Sequence, residues 1–172
     1  MSATANQPIN TNFLSPLGFT FKIKKTPNLN YFVQSVTLPD LSIAPIDVPN
    51  PFSKIPFPAS SLTYGEMTIT FKVDEEFANY LELHEWLVGM GFPKSFDQNR
   101  ALESKPLGER TFSDISLLIH TSSKNPNIEV VFYDAFPTSL STLTFDTTPE
   151  DVQHVTCTAT FKYGRYVIQL LK

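Results

Sequence analysis

Apolar and polar residues alternate along most of this chain. Phe19, Phe21 and Ile23 alternate with Thr20, Lys22 and Lys24, which predicts a half-buried strand from Gly18 to Lys25. Pro27 breaks it, and Tyr31 to Leu38 reads as a second strand stopped by Pro39. Met67, Ile69, Phe71 and Val73 repeat the two-residue period. At Asp74 the period lengthens to 3.6: Phe77, Tyr80, Leu81, Leu83, Leu87 and Val88 line one face, and Gly89, Gly91 and Pro93 end it. The spacing predicts one helix over 75–89, with Asp74 as N-cap and Glu75 and Glu76 at the positive end of its dipole.

Further strands are expected at 113–120, at 128–133, at 140–145 beyond a break at Phe136-Pro137-Thr138, and at 153–163. The last is the most regular: Val155, Cys157, Ala159, Phe161 and Tyr163 oppose Thr156, Thr158, Thr160 and Lys162. Tyr166, Ile168 and Leu170 follow on the other parity, so Gly164 reads as a bulge. Residues 1–16 read as an arm with little structure of its own. Residues 92–112 read as irregular.

Seven or eight strands and one helix predict a mainly β domain. The expected architecture is a single antiparallel β-sandwich or barrel with one flanking α-helix, spanning 1–172.

Composition sharpens this. In 172 residues there are 15 Phe, 14 Pro and 18 Thr but only 6 Gly and 8 Ala, a sheet-forming usage with stiff loops. Six prolines fall between Pro39 and Pro58, together with Leu41, Ile43, Ile46, Val48, Phe52, Ile55 and Phe57. Such proline density argues against a central strand or a helix, and such apolarity argues against a disordered linker. The segment 40–62 is therefore expected to be a long loop. It either packs on its own domain or reaches a neighbouring subunit.

Several functions drop out. No apolar run approaches the roughly 20 residues of a membrane helix, and the N-terminus lacks the pattern of a secretion signal. The single cysteine excludes an internal disulfide framework. The three histidines have no metal-ligand spacing, and no nucleotide-binding glycine loop or hydrolase serine motif is present. Neither a cofactor nor a small-molecule substrate is expected. A net charge of −4 argues against a protein that grips nucleic acid by its phosphates. The charges are also segregated. From Asn125 to Phe161 there is no Lys or Arg, but Glu129, Asp134, Asp146, Glu150 and Asp151 are all acidic. That pattern fits either an uneven solvated surface or complementary patches on a self-associating subunit.

The residues that carry a resemblance are now in view. They are Thr68 to Trp86 (a strand, a Val-Asp-Glu helix start and a Trp at the helix end), Phe136-Pro137-Thr138, Asp146, and the Cys157-Thr158-Ala159-Thr160 strand with Tyr163. In this order the chain resembles, over about residues 12–170, the tail-tube family of contractile-tailed bacteriophages. The resemblance implies a subunit of a hexameric ring around a channel through which DNA passes without specific binding. Residues 40–62 would be the stacking or docking loop, with Val48, Pro49, Phe52, Ile55 and Phe57 as its contacts. Asp74, Glu75 and Glu76 would lie near a subunit boundary. The acids from Glu129 to Asp151 would be candidates for the channel wall or an interface.

The implied partners are further copies and other tail tube, sheath or neck proteins. The implied location is the virion tail, assembled in the host cytoplasm. Within the family the pattern stands closest to the tail-completion or terminator type and almost as close to the major tube protein. A β-sandwich module that binds sugar or peptide through Phe52, Phe57, Phe92 and Phe96 is the alternative, and a hydrolase with an unfamiliar site a weaker one.

Overall fold

The computed structural model describes residues 12–104, 110–148 and 154–171. Among them the order is β1 (Phe19–Ile23), α1 (Pro27–Phe32), β2 (Val33–Thr37), β3 (Leu41–Pro49), β4 (Lys54–Tyr64), β5 (Met67–Lys72), α2 (Ala78–Gly91), α3 (Phe96–Glu103), β6 (Ser113–His120), β7 (Pro126–Leu140), β8 (Thr156–Lys162) and β9 (Arg165–Leu170). Seven strands form one antiparallel sheet in the order β1-β6-β7-β8-β5-β2, with β9 also paired to β7. β3 and β4 form a separate two-stranded ribbon.

The long strand β7 folds the sheet over itself. Its first half pairs with β6 and β9, its second half with β8. At the bend the register shifts beside Asp134, whose φ is 56. The two halves enclose a core of Phe21, Ile23, Met67, Ile69, Phe71, Ile115, Val130, Phe132, Ala159 and Phe161, all buried. Those of β1, β5 and β8 are positions the alternation assigned to one face. α2 closes one side of the core with Leu83 and Trp86. The Trp86 ring meets Phe161 edge-on, and its Nε1 donates to the Thr111 carbonyl at 2.9 Å. The strand path runs from β1 to β2 without joining them, so the barrel stays open.

Six expectations need correction. The strand expected from Tyr31 begins only at Val33, because residues 27–32 are helical: Pro27 pre-sets φ at the first helical position, and Leu29 buries its side chain inside. Asn30 fixes this turn by accepting from the Ile23 N–H at 2.8 Å and donating to its carbonyl at 3.0 Å. Residues 96–103 form a helix, α3, that sequence periodicity was too short to reveal. α2 begins at Ala78, because Phe77 adopts a left-handed φ of 63 and delays the helix. Phe136-Pro137-Thr138 does not interrupt β7, since the ladder absorbs Pro137 beside a register shift, and 141–145 carries no strand. Gly164 does not mark a bulge in one strand. There the chain leaves the β5-β8 side and returns as β9 on the β6-β7 side.

The largest correction concerns 40–62. The segment is no loop but the β3–β4 ribbon, turned by Asn50-Pro51-Phe52-Ser53.

Candidate functional site

The ribbon accommodates its prolines by placing them at every second position. The Asn50 N–H donates to the Ser53 carbonyl at one end, and the Gly65 N–H to the Asp40 carbonyl at the other, both at 3.0 Å. These two pairs fix which opposed residues exchange hydrogen bonds, because the two kinds of pair alternate along an antiparallel ladder. Ile46 with Phe57 and Val48 with Ile55 are hydrogen-bonded pairs. Pro45 with Pro58, Asp47 with Pro56 and Pro49 with Lys54 are the pairs between them. Amides of those intervening pairs point away from the ladder. Four of the six outward positions are proline and have no N–H to give. The ribbon therefore keeps its own ladder, and along its distal half its edges offer few N–H groups to a further strand.

The same alternation separates two faces. Ile46, Val48, Ile55 and Phe57 lie together on one, without a charge among them, and each is between 41% and 56% exposed. Asp47, Lys54 and the prolines occupy the other. Phe52 at the tip is 96% exposed.

At its base the ribbon is held by aromatic contacts. The Tyr64 ring stands edge-on to Tyr163 at 5.9 Å and to Tyr166 at 5.6 Å, and both meet Phe132 of β7. Burial, then the neighbouring Tyr166, Tyr64 and Asp40, pushes the Tyr163 phenol up to about 12. A Cβ at Gly65 would collide with Asp40 Oδ1, so any other residue there would force the Asp40 side chain to turn away.

The predicted acids are not brought together. Asp74 is engaged in structure: its carboxylate accepts from the Ala78 and Asn79 N–H groups at 3.2 and 3.1 Å. The Asn79 side chain, buried, donates back to the Lys72 carbonyl at 2.8 Å. Asp74 thus caps the helix from four residues upstream, across the Phe77 turn. Glu75 and Glu76 stay exposed beside it. Glu129 lies on the outer face of β7, opposite Leu118 and Gln169. Asp134 sits at the β7 bend, where its N–H donates to Asp114 Oδ1 at 3.3 Å. Asp146 accepts from the Thr148 hydroxyl at 2.7 Å and its N–H at 2.9 Å, which holds its carboxyl below the ordinary range and stiffens the local loop. Glu150 and Asp151 lie outside the described residues. Among the described residues no three His, Cys, Asp or Glu side chains converge as metal ligands would, and no helix is long and apolar enough to cross a membrane.

Sequence reasoning missed a second feature, the two free edges of the sheet half formed by β1, β6, β7 and β9. The His120 N–H donates to the Gly18 carbonyl, which fixes Phe19, Phe21 and Ile23 as the β1 residues whose backbone groups face outward. Asn30 satisfies Ile23, so Phe19 and Phe21 present the open groups. On β9 the Leu171 N–H to the Asn127 carbonyl fixes Tyr166, Ile168 and Leu170 as the outward-facing residues, and Ile168 and Leu170 have exposed side chains. Parity counting of β1 and β9 would have found these residues. Knowing that the two strands are edges needed the topology.

The whole chain can be compared with known proteins. Residues 4–169 match the family model described as phage tail tube protein. The chain belongs to that family. It is 25% identical over 169 residues to the tail tube terminator protein of Enterobacteria phage T4, covering 95% of this chain and 90% of that one. Two solved structures share the fold. The tube-terminating cap of the anti-feeding prophage has a TM-score of 0.63 at 16% identity, covering 99% of this chain and all of that one. The sheath/tube terminator of an extracellular contractile injection system has a TM-score of 0.58 at 18% identity, covering 93% and 99%. These likenesses establish the fold of a tail tube protein, mainly β and antiparallel.

Proposed function

We propose that this tail tube family member is a non-catalytic, ring-forming subunit of a contractile phage tail, of the terminator type that closes the tube at one end. The observation that carries the proposal is the pair of open edges. β1, β6, β7 and β9 are successively antiparallel, so β1 and β9 run in opposite directions. A neighbour's β9 laid against β1 continues the antiparallel pattern, and the operation repeats around a closed ring. Ile168 and Leu170, exposed in the single chain, would then lie beside Phe19 and Phe21. The ring is read as hexameric, with DNA passing through its channel unbound. Its axial partners are tube, sheath or neck proteins reached by the ribbon, and its place is the virion tail.

Similarity to a T4 protein named a tube terminator favours that role over the major tube protein. The ribbon residues Val48, Pro49, Phe52, Ile55 and Phe57 are the proposed inter-ring contacts, and Glu75 and Glu76 lie at the proposed subunit boundary. Of the acids, Glu129 alone is read as facing the channel, because it stands on the outer face of the ring-forming sheet.

Negative-stain electron microscopy over a range of concentrations tests the reading. Single rings with a central hole are expected. Rings that stack into long tubes would transfer the role to the major tube protein. Compact monomers at every concentration, also in the presence of tail tubes, would overturn it.

A further inference from the structure

The outer face of β1, β6, β7 and β9 is not the acidic wall that the resemblance implies. The ladders set its rows. Glu129 stands level with Leu118 and Thr20, and Lys22, one step along, stands level with Ser116 and Val131. Lys24 and Asp114 follow one step further. Lys22, Lys24, Asp114 and Glu129 all line one open groove of this face. Asp114, which lies outside the acidic run of the sequence, thus joins Glu129 there. The fifth charged residue is Arg165, whose guanidinium carbon lies 5.1 Å from the centre of the Tyr133 ring. Three cations against two acids leave the face at +1 per copy, in a chain whose net charge is −4.

Resting on the ring reading above, in which this face lines the channel, we infer that Asp114 and Glu129 keep the wall from holding DNA by cancelling Lys22 and Lys24 within one groove. The wall lets a polyanion pass because its charges are compensated, not because it is acidic.

The spacing of the rows makes the cancellation effective. Successive rows on one face of a sheet are two residues, about 6.6 Å, apart. That is less than the Debye length of about 8 Å at physiological ionic strength. A phosphate moving along the wall therefore feels neighbouring rows together, and the carboxylate and ammonium rows offset one another. Arg165 is left over, and its contact with the Tyr133 ring holds the guanidinium against the sheet. Without the two acids each copy would turn +3 toward a duplex that carries one charge per about 1.7 Å, and each phosphate contact would gain by releasing counterions. Compensation also spares the ring the like-charge repulsion that a wholly acidic wall would build into it.

The test uses rings of the full-length chain and a short, fluorescently labelled DNA duplex, with anisotropy as the readout. Wild-type rings should leave the duplex free. Asp114→Asn with Glu129→Gln raises the face from +1 to +3 per copy. These rings should bind the duplex at least about tenfold more tightly than wild type, with an affinity that falls steeply as salt rises. Asn keeps an oxygen for the Asp134 N–H, which Asp114 accepts at 3.3 Å, so the bend survives. Glu129→Gln alone, at +2, should bind between the two. Adding Lys22→Gln and Lys24→Gln to the double variant returns the face to +1 and should abolish binding.

Asp114→Asn, Glu129→Gln rings that bind no duplex would overturn the inference, as would equally tight binding by wild-type rings. So would a quadruple variant that still binds, because the grip would then not come from Lys22 and Lys24. A wild type that forms no rings in the electron microscope would overturn the ring reading instead, and ring counts for each variant separate lost assembly from unchanged affinity.

Discussion

Replacing residues 45–58 by Asn-Gly should leave the protein folded. No side chain from Pro45 to Pro58 is buried, and the prolines among them are exposed as well. None of these residues pairs with the seven-stranded sheet. The aromatic base at Tyr64 and the Asp40–Gly65 neck lie outside the deleted segment and stay. With Ala44 and residues 59–61 retained, the Asn-Gly insert gives a six-residue loop across the Ile43–Leu62 pair, and this shorter connection costs slightly less closure entropy. The expected change in stability is below about 1 kcal/mol, the range of surface changes, or less than about 4 °C in Tm for a domain of this size.

Phe161→Ala supplies the contrast. Phe161 is fully buried against Trp86 at 6.2 Å, and its removal should cost about 3–5 kcal/mol. Urea unfolding of both variants, followed by Trp86 fluorescence, checks the pair. A deletion that loses as much as Phe161→Ala would refute the argument, because the ribbon would then be part of the core and not a docking device.

Two further outcomes follow from the interior. Asp74→Ala removes the acceptor for two helix N–H groups and should lower stability by about 1–2 kcal/mol in the same urea assay, with no effect on ring formation. The Tyr163 phenol, raised to about 12 from its ordinary 10, favours the neutral form in the folded state. Its contribution is therefore fully present below about pH 10 and is lost as pH rises toward 12. Tm measured across that window should fall less steeply for Tyr163→Phe than for wild type, and parallel curves would reject the assignment.

Much of the fold was legible because burial on one face imposes a period of two. The inward residues of β1, β5, β6 and β8 could be picked from their alternation, and α2 from its change of period. What could not be read was local competition. Tyr31 and Phe32 look like the start of a strand, yet Pro27 and Asn30 hold them in a helical turn against Ile23. α3 has eight mostly polar residues and buries little beyond Leu102, too few for a periodic signal. At Gly164 the change of parity was visible, but two strands in different halves of the sheet produce the same change as a bulge.

The acids show the same limit at the site. A run without Lys or Arg is a property of the sequence, whereas a charged surface depends on the register. Here the register scatters Glu129, Asp134 and Asp146 over a strand face, a bend and a loop.

Proline carries the sharpest lesson, because its meaning depends on the neighbours a strand has. Within a sheet every amide faces a partner, so a run such as Pro45, Pro49, Pro56 and Pro58 would break the ladder on one side or the other. A two-stranded ribbon needs only half of its amides, and these four residues all fall in the other half. The spacing 45, 49 and 56, 58 has one parity in each strand, and the apolar residues Ile46, Val48, Ile55 and Phe57 have the opposite parity. That combination is a signature in the sequence: prolines at alternate positions, apolar residues between them, and a Pro-containing turn at the centre. Read as a rule about hydrogen-bond parity and not as a rule about strand breaking, it specifies an extended finger with blocked edges and one apolar face. Along its distal half, such a finger is also protected against strand pairing with another copy of itself.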